Sequence, residues 1–244
     1  MKRYRFILEY DGSRFFGWQR QPIEPTVQQT LEDQLVFFVK HPVTIHGAGR
    51  TDTGVHATGQ VAHADLNYPH SSYRLQVALN HFLIKKGLSV IACDEIDSDF
   101  HARYSATSRE YQYDILNRTA PGVWNAKVWH AARPLNAEAM HEAAQHIVGT
   151  YDFSSFRDSK CQSKSPIKTL SYFSIKRHGE LITAQLKAPS FLHHQVRIMM
   201  GTLKAVGAGM IGLDEFIKIR DEKDRTKAGV TAPPDGLTLT QVGY

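Results

Sequence analysis

The hydrophobic period of this chain, and the order in which it changes, most limits what the chain can fold into. Residues 3–10 alternate, with Tyr4, Phe6, Leu8 and Tyr10 on one face, as a half-buried strand requires. Asp11 and Gly12 turn the chain. The period then becomes helical. Thr26 and Gln29 have capping-box spacing, and Val27, Leu31, Leu35 and Phe38 form a buried stripe. Segments 43–48 and 60–66 read as strands flanking a glycine-rich loop. Ser71 or Ser72 caps a second helix with Leu75, Ala78, Leu79 and Phe82 inward, and 88–95 is a further strand. The first half is therefore β-α-β-β-α-β.

The second half begins near Thr107 with a strand in which Tyr111, Tyr113 and Ile115 alternate. Asn136 caps a helix carrying Met140, Ala143, Ala144 and Ile147, and Gly149 ends it. Segments 170–177 and 181–188 form a hairpin around His178-Gly179. A helix starts near His193, a shorter one follows Asp214, and 237–244 forms a last strand. Strands arrive in adjacent pairs and not in strict alternation with helices, so the fold class is α+β, with mostly antiparallel sheets flanked by helices. The two halves, residues 1–106 and 107–244, share this coarse pattern without visible sequence repetition. No linker separates them, so their sheets are expected to pack side by side with a cleft at the seam.

Composition narrows the function classes. With 42% hydrophobic residues among 244, the chain has enough apolar material for a core and too much for a disordered protein. The formal charge of +5 leans toward a polyanionic partner, although a slightly basic protein with no such partner accounts for it as well. Cys93 and Cys161 are far apart and have no CxxC spacing, which argues against a disulfide scaffold or thiolate zinc site and for a reducing compartment. The opening segment reaches Glu9 and Asp11 too soon for a signal peptide, and no stretch approaches a membrane span. A soluble, cytoplasmic protein is expected.

Three segments carry chemistry. The first is Gly47-Ala48-Gly49-Arg50-Thr51-Asp52-Thr53-Gly54-Val55-His56-Ala57. Its glycines allow tight turning or close approach to a ligand, but they fit neither the dinucleotide fingerprint nor a P-loop. They place a cation, Arg50, beside a carboxylate, Asp52, on a loop between strands. A turn whose aspartate caps its own backbone is the plain alternative. The second segment, 190–201, sets Arg197 among Phe191, Leu192, Val196, Met199 and Met200. A cation in so apolar a run needs a partner. A structural ion pair would serve, and so would Asp52, which such an arginine would keep ionised for nucleophilic work. The third runs from Phe100-His101-Ala102-Arg103-Tyr104-Ser105-Ala106 into Arg109, Tyr111 and Tyr113. Arginines and aromatics can meet phosphates and stack bases, but tyrosines at alternate strand positions also fill cores. Arg157, Lys160, Lys164 and Lys168 either meet a phosphate backbone or are solvated. A metal site is not expected. His193 and His194 are adjacent and diverge from a helix, while His56 and His63 lack a third ligand.

In order along essentially the whole chain, Tyr10-Asp11-Gly12 with Phe16-Gly17-Trp18-Gln19, the loop around Asp52, the 100–106 block with Arg109-x-Tyr111-x-Tyr113, the 191–201 block, and Ala232-Pro233 to Gly236-Leu237 resemble the tRNA pseudouridine synthase A family. The resemblance implies that Asp52 is the nucleophile and that Tyr111 lines the pocket and contacts the target base. It implies that Arg197 pairs with the aspartate, that Arg50 helps expel the base from the stack, and that Leu237 lines the site. It also implies two α+β halves of the pseudouridine synthase fold with a catalytic cleft between them. Further implications are a homodimer, uridines at positions 38, 39 and 40 of the tRNA anticodon stem-loop as substrates, and no metal or organic cofactor. Gln195, where many relatives have Met, and Ile198, where a polar residue is common, depart from the pattern and bear on local packing. A non-catalytic RNA-binding protein and an RNA glycosidase are the competing readings. The first predicts that Asp52→Asn keeps function, and the second predicts free uracil.

Overall fold

The computed structural model describes residues 1–22, 24–123 and 127–244. In chain order the elements are β1 (Lys2–Tyr10), α1 (Val27–Val39), β2 (His46–Gly47), β3 (His56–Leu66), α2 (Ser72–Leu83) and β4 (Leu88–Ile96). They continue with β5 (Ser108–Asn117), β6 (Trp129–Ala131), α3 (Ala137–Gln145), β7 (Gly149–Asp152) and β8 (Ile167–Leu170). The last are β9 (Tyr172–His178), β10 (Leu181–Ala188), α4 (Gln195–Gly207), α5 (Leu213–Glu222) and β11 (Leu237–Gly243). Two compact units result: Met1–Thr107 with Thr238–Tyr244, and Ser108–Leu237. The terminal strand, placed by its position in the sequence with the second half, groups with the first. It pairs in parallel with β3, Thr238 opposite His56 and Leu239 opposite Ala57.

In the first unit the strands run β4-β1-β3-β11, with β2 added to β3. β1 is antiparallel to both β3 and β4 and buries Tyr4, Phe6, Leu8 and Tyr10, the alternating face read from its sequence. Thr26 and Ser71 cap α1 and α2, accepting the N–H groups of Gln29 and Arg74. α2 buries Leu75, Leu79 and Leu83, whereas Phe82, expected inward, is 42% exposed. The reason is the four-residue spacing of the three leucines, which fills the buried stripe by itself. Side chains of α2 also seal the edge of β4: Asn80 donates to the Val90 carbonyl and accepts its N–H, at 2.9 and 2.7 Å. The expected strand at 43–48 shrinks to β2, because the Ile45 N–H is taken at 3.0 Å by the buried Glu32 carboxylate.

In the second unit the order is β5-β10-β9, with β6 parallel to β5. The β9–β10 hairpin closes as expected, with Gly179 at φ +59°. Asn136 caps α3. Gly149 does not end that helix, which stops at Gln145. At φ +125° it instead opens β7, which pairs with β8 as a separate two-stranded sheet. Here too a helix seals a strand edge: Gln145 donates to the Phe173 carbonyl at 2.8 Å, and His141 accepts the Ile175 N–H at 3.2 Å. The fold is α+β and mostly antiparallel, with helices flanking the strands.

Candidate active site

The loop that carries Asp52 leaves β2 and rejoins β3 at His56. Among residues 49–54 only Thr51 is buried, at 6% exposure; Asp52 is half-buried and Arg50 exposed. Thr51 is held through its hydroxyl and its carbonyl. Its hydroxyl lies 2.8 Å from the Tyr10 hydroxyl, and its carbonyl accepts the Trp18 N–H at 3.0 Å. Gln60 on β3 donates to the Gly49 carbonyl at 2.9 Å. After Asp52 a turn closes through the Val55 N–H on the Asp52 carbonyl, 3.1 Å, with Gly54 at φ +83°. Burial pushes the Tyr10 phenol up to about 12, so it stays neutral.

The two motifs near the N-terminus form the seat of this loop. A β-carbon at Gly12 would overlap the Val55 carbonyl oxygen. One at Gly17, already at φ +81°, would come within 2.8 Å of the Thr51 carbonyl oxygen. Gly12 donates its N–H to His56 Nδ1 at 3.0 Å, which makes that nitrogen an acceptor; the Asp11 carboxylate 3.3 Å away is then not its ion-pair partner. The role of Tyr10, Gly12, Gly17 and Trp18 is not visible in local periodicity. Its one sequence signal is two glycines beside aromatics just after a strand.

The 100–106 segment is anchored in the same unit. Buried His63 accepts the Ala102 N–H at 3.1 Å, and Tyr244 donates to the Ala102 carbonyl at 2.8 Å. Arg3 binds the carbonyls of Ser98 and Phe100. The rings of His46, His63 and His101 lie 4.6 to 5.5 Å apart. Burial first, then the neighbouring His101, Arg3 and His46, lower His63 to about 4. Tyr104 is left 76% exposed, with the Arg103 guanidinium over its ring.

In the second unit, Tyr111 on β5 is half-buried and meets Phe191 edge-on, centroids 5.2 Å apart. Its neighbour Tyr113 is core and donates to the Pro233 carbonyl at 2.8 Å. Arg197, half-buried on α4, donates from Nε to the Ala232 carbonyl at 2.7 Å, and the Ala232 N–H returns to the Arg197 carbonyl at 3.0 Å. Leu237 is 5% exposed at the start of β11. Arg157 is half-buried and tied to its own loop, donating to the carbonyls of Cys161 and Ser163.

The two histidines before α4 differ from expectation. The helix starts at Gln195, and His194 sits at φ +59°, so the rings of His193 and His194 lie close together, tilted by 32° with centroids 3.9 Å apart, instead of diverging. Both Nδ1 atoms face Asp158, at 3.4 and 2.8 Å. Burial raises the Asp158 carboxyl, but the Lys160 N–H and His194 outweigh it and hold the group below the usual range. Divergence is therefore no argument against a shared ligand here. Gln195, fully buried, accepts the Leu192 N–H at 2.7 Å, and Ile198 is fully buried. Both departures from the family pattern settle into local packing.

The site residues thus lie on two sets of elements. Asp52 and Arg50 share the first unit's loop, while Tyr111, Arg197 and Leu237 belong to the second unit. A profile of the family described as tRNA pseudouridine synthase matches residues 7–105 and 143–244. The protein named tRNA pseudouridine synthase A of Paramagnetospirillum magneticum is 49% identical, covering 100% of this chain and 96% of its own. The one of Bartonella henselae is 47% identical, covering 100% of both. A chain from the crystal structure of a Cbf5-Nop10-Gar1 complex aligns over 97% of this chain and 49% of its own, at a TM-score of 0.39 and 10% identity, too distant to add to the assignment. With matching blocks seated as one supported loop around Asp52 and with relatives similar over its full length, this chain belongs to the tRNA pseudouridine synthase family.

Proposed function

We propose that the protein isomerises uridine to pseudouridine at positions 38, 39 and 40 of the tRNA anticodon stem-loop, with Asp52 as nucleophile. The observation that carries this reading is the loop itself: a carboxylate left accessible on a backbone held from beneath, in a member of this family. The reaction breaks the C1′–N1 bond and forms C1′–C5. C5 loses its proton to solvent and N1 gains one, so the composition is unchanged overall. A carboxylate can make and then release a covalent bond to the nucleotide, dividing one hard step into two. Arg50 helps expel the target base, at a cost of roughly a few kcal/mol of lost stacking. Tyr111 contacts the base, Leu237 lines the pocket, and Arg197 is the cation that compensates Asp52. The proposed setting is a cytoplasmic homodimer that needs no cofactor, with phosphate contacts from basic residues orienting the tRNA.

The test is incubation of the pure protein with unmodified tRNA, followed by mapping of pseudouridine and assay of free uracil. Pseudouridine confined to 38–40 with no uracil released is expected. Released uracil would make the protein a glycosidase, and tRNA binding without either product would make it a binding protein.

A further inference from the structure

The loop around Asp52 is bounded by permissive backbone. Gly49 has open space around it and Gly54 has a left-handed backbone, so both ends of the Arg50–Thr53 stretch are permissive. Of that stretch only Thr51 is buried. Its hydroxyl meets the Tyr10 hydroxyl at the end of β1, 2.8 Å away, and its carbonyl takes the Trp18 N–H. Tyr10 is itself 2% exposed and is approached at 3.5 Å by Gln60 of β3, whose amide also fixes the Gly49 carbonyl. β1 thus meets the loop at Thr51, immediately before the carboxylate, while β3 meets it at Gly49 and braces Tyr10.

We propose that the buried Tyr10–Thr51 hydroxyl pair is the positioning device for Asp52, and that Tyr10 is a positioning residue which never touches substrate. This rests on the reading of Asp52 as nucleophile. The physical reason is that reacting groups need sub-ångström placement, which rigid elements and supporting hydrogen bonds supply more accurately than a glycine-flanked loop. Burial also keeps the phenol protonated, so the pair can persist at any working pH.

The test uses the full chain with tRNA and compares Tyr10→Phe, Thr51→Val and Thr51→Ser, with Asp52→Asn run in parallel. Tyr10→Phe and Thr51→Val should each slow single turnover on the order of tenfold or more, because misplacement by a fraction of an ångström is costly. The Kd for tRNA should stay within about twofold, since phosphate contacts supply most affinity. Thr51→Ser keeps the hydroxyl and should retain most of the rate. Tyr10→Phe combined with Thr51→Val should be no slower than the slower single variant, since both remove one contact. Wild-type single-turnover rates in Tyr10→Phe and Thr51→Val, with only a lower melting temperature, would overturn the proposal and leave the pair a stability feature. Should Tyr10→Phe not fold, the Val and Ser variants at Thr51 decide: equal rates overturn the proposal. An active Asp52→Asn enzyme would instead bring down the reading on which the proposal stands.

Discussion

Arg197 shows how one side chain can be both structural and chemical. Its Nε is bonded to the Ala232 carbonyl, and the backbone bond in return ties residue 232 to α4. Arg197→Met leaves that carbonyl without its side-chain donor, a cost of about 1–3 kcal/mol in stability. If Arg197 also compensates Asp52, the same change should cripple single turnover, and Arg197→Lys should do better, keeping the charge but losing the planar fork. Measured together, a stability loss with a wild-type rate would make Arg197 structural only. Asp52 and Arg197 could be singled out in the sequence because a cation beside a carboxylate, or within an apolar run, is locally odd. The Tyr10–Thr51 contact could not, since its partners are separated by 41 positions and neither is unusual for its own segment. Nor could the close approach of the His193 and His194 rings, which depends on the left-handed backbone at His194.

At the scale of elements, close approach decides more than propensity. Gly201 lies inside α4, where alanine would ordinarily gain about 1 kcal/mol of helix propensity. A β-carbon there, however, would overlap the Val230 carbonyl oxygen. Overpacking of this kind costs typically about 1–3 kcal/mol, so Gly201→Ala should destabilise the protein in urea unfolding. Unchanged or increased stability would show that segment 228–233 is not packed on α4 as described. The His63 cluster gives a pH dependence of definite sign. Its folded value is lowered from 6.5 to about 4, so the unfolded chain binds the proton more readily between those values. Stability is therefore full above about pH 6.5 and falls as pH drops toward 4, by about 2 kcal/mol between pH 7 and pH 5. Urea unfolding at the two pH values should show a correspondingly smaller loss in His63→Gln; an equal loss would contradict this source. Period and caps made most helices and the long strands legible, because those signals are local. β6, β7 and β8 carry no such local signal, being short and specified by partners elsewhere in the chain, and Phe82 departs from the expected stripe because three leucines already fill the buried face of α2.

For the whole molecule, the family assignment and the accessible carboxylate point to side-chain chemistry on a polyanionic substrate. Among the described residues no helix is long and apolar enough to cross a membrane. The formal charge of +5 suits tRNA, and affinity should fall with salt as counterions are released. The close pair His193–His194 makes a chelator the sharper test of the expectation that no cofactor is needed. Activity on prefolded tRNA should be unchanged by EDTA, and a loss restored by a divalent ion would contradict it.

The central claim is that one carboxylate performs the covalent step while other residues hold the RNA. Its most direct measurement is single-turnover pseudouridine formation by Asp52→Asn beside tRNA binding by the same preparation. The predicted result is no detectable pseudouridine, with affinity within about tenfold of wild type, or ~1.4 kcal/mol. Appreciable pseudouridine formation by a verified Asp52→Asn protein would contradict the account.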